Sequence, residues 1–109
     1  MDSELQIQSC IESCQTCASA CRTCAVQCAS IPGLEECVRR CETAAEACDT
    51  CVEALDQGSI TQCNRCAEAC ALCSVECERH QVEYRQACAD ICRACESECS
   101  KTISVFSFA

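Results

Sequence analysis

Six cysteines between Cys10 and Cys28 follow one another at alternating steps of four and three residues: Cys10, Cys14, Cys17, Cys21, Cys24 and Cys28. An α-helix turns every ~3.6 residues, so steps averaging ~3.5 keep side chains on one stripe of its surface. A helix normally places Leu, Ile or Val on such a stripe and buries it against other helices. Here the stripe is made of thiols, which demands a chemical explanation as well as a packing one.

The device recurs three times. Cys37, Cys41, Cys48 and Cys51 form a second seam, Cys63, Cys66, Cys70, Cys73 and Cys77 a third, and Cys88, Cys92, Cys95 and Cys99 a fourth. Cysteine fills each of the twenty seam positions spanned by these runs except one, Ala44, and none of the nineteen cysteines lies off a seam. Four seamed segments with short connections predict an all-α, antiparallel up-down-up-down four-helix bundle with cysteines lining the core.

Punctuation sets the expected boundaries. Ser3 with Gln6 and Ser59 with Gln62 fit capping boxes, Pro32-Gly33 separates the first two seams, and Gly58 closes the second. One domain over 1–109 is expected, with helices over about 3–30, 32–57, 59–80 and 82–101 and a tail at 102–109. Extending the register outward places Ile7, Leu55 and Phe106 at one end, with Ile60 or Ile103 nearby, as an apolar plug. The opposite end receives Ile31, Leu34, His80 and Tyr84, and His80 falls in register three residues after Cys77. That end is the expected mouth. On its own, His80 also reads as an exposed residue favourably placed at a helix C-terminus.

Leu, Ile, Val and Phe total eighteen residues and the formal net charge is −9, a balance that without the cysteines would suggest disorder. Buried thiols act as small hydrophobes, and metal bound across helices adds folding free energy. Eight basic residues against seventeen acidic ones, with almost no aromatics, argue against nucleic acid as a partner. No apolar run is long enough to span a membrane, and the opening MDSELQIQSC has no export signature, so a cytoplasmic location is expected. In a reducing compartment dense cysteine points to metal more than to disulfides. No catalytic triad, phosphate loop or carboxylate pair stands out, and the chain is not read as an enzyme.

Cu(I) suits the seam by softness and charge. It accepts two or three thiolates, and one monovalent ion per thiolate leaves a nearly neutral core, which implies a capacity on the order of 15–20 ions. Zn(II) needs four ligands, so two helices would have to converge at each site. A general thiolate buffer for Zn or Cd, of metallothionein type, and a thiol redox or disulfide scaffold are the alternatives.

The repeated C-x-x-x-C-x-x-C pattern, in Cys10-Cys14-Cys17, Cys17-Cys21-Cys24, Cys66-Cys70-Cys73 and Cys88-Cys92-Cys95, resembles the bacterial copper storage proteins, specifically their cytosolic branch. The resemblance covers about Cys10 to Cys99. It implies a four-helix bundle that binds many Cu(I) ions and a tetramer of such bundles. It further implies that all nineteen cysteines are ligands, with His80 a candidate at the mouth. The chain departs from the exported branch, which has a signal peptide and methionines near the mouth, because Met1 is its one methionine; Ala44 interrupts the second seam.

Overall fold

The computed structural model describes residues 2–80 and 83–107, apart from the side chains of 2, 83, 84 and 107. Tyr84's side chain, expected at the mouth, lies outside this set. Four helices follow one another: α1 Asp2–Cys28, α2 Glu35–Asp56, α3 Cys63–Glu78 and α4 Glu83–Ser107. Among the described residues each helix backbone runs beside two neighbours, α1 and α3 both flanking α2 and α4, and across the diagonals the helices meet through their cysteine side chains. Sulfur contacts fix the antiparallel sense. Cys10 near the start of α1 meets Cys99 towards the end of α4, and Cys51 near the end of α2 meets Cys63 at the start of α3. The bundle is 47 Å long and about 20 Å wide.

Every seam residue faces the common axis. All nineteen cysteines and Ala44 are buried, and together with Ile11, Leu34, Leu55 and a few alanines they form one continuous core. Ala18, Ala25, Ala45 and Ala89 sit buried beside the seams, where short side chains let the helices approach closely. The outer faces carry exposed ion pairs such as Arg39–Glu36 and Arg40–Glu36, which contribute little to stability.

Three helix boundaries and one cap differ from the sequence reading. α2 starts at Glu35 rather than at Pro32 or Gly33, because Gly33 adopts φ +91° and turns the chain before the helix begins. α3 starts at Cys63 rather than Ser59. The Ser59 hydroxyl bonds within the turn, to the Thr61 hydroxyl and backbone N–H, and caps no helix. Likewise Gln6 makes no capping box with Ser3, since its amide reaches across to α4. The expected tail is helical as far as Ser107: Thr102, next on the α4 seam after Cys99, is fully buried and bonds back to the Glu98 carbonyl at 2.9 Å.

Gly58 does close α2. At φ +80° it lets its own N–H reach the Leu55 carbonyl and the Ser59 N–H reach that of Ala54, both at 2.9 Å, a Schellman ending. At the end this turn shares with α1 and α4, Leu55 is buried and Ile7, Ile60 and Ile103 pack partly buried on the core. The apolar plug is therefore present in Leu55, Ile7, Ile60 and Ile103, with Thr102 inside it, whereas Phe106, expected there too, is half-buried and not among the residues packed on the core.

Candidate metal centre

The four seams bring their sulfurs together in one buried column along the bundle axis. Neighbouring Sγ atoms contact at 3.5 to 4.0 Å along its length, including Cys14–Cys66 at 3.8 Å, Cys17–Cys70 at 3.7 Å, Cys48–Cys95 at 3.9 Å and Cys41–Cys73 at 3.6 Å. Contacts within one helix are fewer, namely Cys17–Cys21, Cys24–Cys28 and Cys73–Cys77, each at 3.9 Å. Sites bridged along a single helix, as spacing alone suggests, thus give way to sites shared between helices.

Several tetrads have all four sulfurs within 4.8 Å of one another: Cys10/Cys51/Cys63/Cys99, Cys14/Cys48/Cys66/Cys95 and Cys17/Cys48/Cys70/Cys95 take one thiol from each helix. Sulfurs bonded to one ion at ~2.3 Å lie about 4 Å apart around a three-coordinate centre and slightly closer around a tetrahedral one. The column fits both. Convergence of helices therefore no longer counts against Zn(II), as the four-ligand requirement did in the sequence; charge favours Cu(I), because a stack of four-thiolate zinc sites would leave excess negative charge in a dry core.

Protons are unevenly held in the metal-free column. Hydrogen bonds from Cys21, and then Cys48, Cys70 and Cys92, hold Cys17 down to about 2. Thiol neighbours also lower Cys10, Cys66 and Cys95, led by Cys14, and Cys88, led by Cys21. Their partners move the other way. Cys14 and Cys99 are raised chiefly through Cys10, Cys41 through Cys21 and Cys92 through Cys17. Burial, reinforced by the charges of Cys24 and Cys28, pushes Cys37 up to about 12.

At the mouth, Leu34 is buried, Ile31 is largely exposed, and His80 is partly buried with Nε2 3.0 Å from Glu76 Oε2. His80 is not in contact with a thiol in any described hydrogen bond; Glu76 holds it instead. The sequence reading overlooked Arg85, which is buried and donates from Nε to Cys28 Sγ at 3.3 Å. Continuing the four-three alternation backwards from Cys88 lands on Arg85, one residue from the Tyr84 that was chosen, so the signal was present. Glu76 faces outward by seam arithmetic and gave no such sign.

The chain matches the copper storage protein family over residues 3–104. It belongs to that family. Among solved structures, a cytosolic copper storage protein from Streptomyces lividans carrying five coppers superposes with a TM-score of 0.88 at 32% identity, covering 94% of this chain and 95% of that one. The Streptomyces lividans protein loaded with 10 copper equivalents gives 0.85 at 32% identity, over 91% of this chain and 84% of that one. A Cu(I)-bound copper storage protein, BsCsp3, gives 0.83 at 31% identity, over 89% and 97%. No match is found among curated proteins. As a copper storage protein this chain holds metal in its core cysteines and is not an enzyme. No helix among the described residues is long and apolar enough to cross a membrane.

Proposed function

We propose that all nineteen cysteines are Cu(I) ligands, that His80 is a further ligand at the mouth, and that the protein works in the cytoplasm as a tetramer of single-domain bundles. The column of nineteen buried, free sulfurs, many of them 3.5 to 4.0 Å from a neighbour, carries the ligand assignment. A column of this kind has no stopping point at one or two ions, so its natural occupancy approaches one Cu(I) per thiolate, on the order of 15–20. Support for His80 comes from its partner. Metal-bound histidines commonly give their second ring nitrogen to a carboxylate, and Glu76 takes that position, leaving Nδ1 for the ion. The cytoplasmic location rests on the relative described as cytosolic, and the tetramer on family likeness together with exposed Leu5, Val26, Leu72 and Val75.

Anaerobic titration of the reduced protein with Cu(I) against a chromogenic chelator, with Zn(II) run in parallel, tests the reading. Withholding of on the order of 15–20 Cu(I) before the chelator responds supports it. Saturation at a few ions, or equal retention of Zn(II), points to a general thiolate buffer. Replacing Cys17, Cys21, Cys70 and Cys92 together lowers capacity by a few ions while helicity persists. Sedimentation of loaded and metal-free protein decides the tetramer.

A further inference from the structure

We infer that Ala44 divides the thiol column into two reservoirs and that Cys21 and Cys92 form the crossing between them. This rests on the copper storage reading above. On α2, Cys41 and Cys48 flank Ala44 and stand seven residues apart, roughly 10 Å along the helix. Cys48 contacts Cys66, Cys70 and Cys95, all towards the plugged end. Cys41 contacts Cys73 and Cys77, both towards the mouth.

The tetrads record the same break. Those towards the plugged end draw one thiol from each helix, whereas the one at the Ala44 level, Cys21/Cys73/Cys88/Cys92, draws two from α4 and none from α2. Sulfur contacts across the break run through α1 and α4: Cys17–Cys21 at 3.9 Å, Cys17–Cys92 at 3.7 Å and Cys21–Cys92 at 3.5 Å. These three sulfurs form a triangle whose sides approach the ~4 Å expected around one three-coordinate Cu(I).

Transfer through the triangle is ligand exchange without redox change. A new Cu–S bond forms to the incoming sulfur as an old one breaks, and the proton displaced from the incoming thiol passes to the thiolate left behind. The ion stays Cu(I) throughout. Exchange needs donor and acceptor sulfurs both within bonding reach of the ion, a condition the triangle meets and the α2 face at Ala44 does not. An ion held in the mouth-side reservoir reaches the plug-side reservoir beyond it through Cys21 and Cys92, and the crossing is the same whichever end of the bundle admits it.

The test is anaerobic stopped-flow loading from a Cu(I)–chelator complex, reading chelator release, with equilibrium capacity measured on the same samples. Wild type is expected to load in two phases. Cys92→Ala slows the second phase roughly ten-fold, the change that ~1.4 kcal/mol of barrier produces, with at most a small loss of capacity. Cys99→Ala, which removes a thiol at the plugged end, loses similar capacity without slowing. Ala44→Cys, which restores the missing thiol, speeds the second phase. Equal rates in Cys92→Ala and Cys99→Ala, or an unchanged second phase in Ala44→Cys, overturn the crossing while leaving storage intact. Should Cys92→Ala lose its helical spectrum, Ala44→Cys decides alone. A wild-type protein that withholds only a few ions at equilibrium instead overturns the storage reading.

Discussion

At His80, three residues beyond the last thiol of α3, the imidazole is held by Glu76. As the proposed ligand there, its nitrogen would bind Cu(I) less tightly than thiolate does, which suits a residue that receives ions and passes them on. His80→Ala is expected to slow uptake from a chelator complex while leaving equilibrium capacity within about one ion, measured by the same stopped-flow and titration pair. At the other end Thr102 occupies a seam position with no thiol. Its hydroxyl donates to the Glu98 carbonyl and accepts from Gln6 Nε2 at 3.1 Å, and Ser9 also donates to Glu98 at 2.8 Å, so the polar group is buried but fully engaged across α1 and α4. Thr102→Val keeps the shape and removes the bonds. It should destabilise the metal-free protein by about 1–2 kcal/mol in chemical denaturation without altering copper capacity.

Among the elements, α2 shows how a helix of small side chains is held in place. Its seam offers four thiols, Ala44 and Leu55, and Ala45 beside it is buried as well, so little bulk locks its position. Its ends therefore matter. Gly58 stands at φ +80° with nothing within 4 Å of where a Cβ would be, so Gly58→Ala introduces backbone strain without a clash. A loss of about 1–2 kcal/mol in the metal-free protein is expected, with the same copper stoichiometry. A loss of capacity would instead mean that the turn itself takes part in metal binding. α4 is the opposite case. Anchored by Thr102 and Glu98, it continues past its last cysteine and completes the plug.

For the whole molecule, metal and protons compete for the same sulfurs. Between the ordinary thiol value of ~8.5 and about 12, the folded chain keeps a proton on Cys37 that the unfolded chain has lost. Stability of the metal-free bundle therefore falls as pH rises through this window, by up to ~1.4 kcal/mol per pH unit for that group. Thermal melts of the metal-free protein from pH 8 to 11 should show a steadily falling midpoint. The copper-loaded protein has already released these protons and should melt higher and change less over the same range. Stripping the copper with an excess of chelator should restore both the lower midpoint and its pH dependence.

The four-three cysteine spacing by itself determined four helices, their inward faces and the thiol column, because helical periodicity is local and a stripe with no cysteine off it admits one packing. It also located the plug, since Leu55 and Ile7 continue the same register. Helix ends were less legible: Ser59 and Gln6 have cap-forming side chains, but one serves a turn and the other a neighbouring helix, and only the folded chain shows which partner is nearer. Tertiary structure likewise decided how the sulfurs are shared. Spacing along one helix suggested intrahelical pairs, whereas four converging backbones placed the nearest sulfurs on different helices. Arg85 against Cys28, and Cys21 against Cys92, are separated by 57 and 71 residues, so their meeting depends on the register between helices, which no single seam encodes.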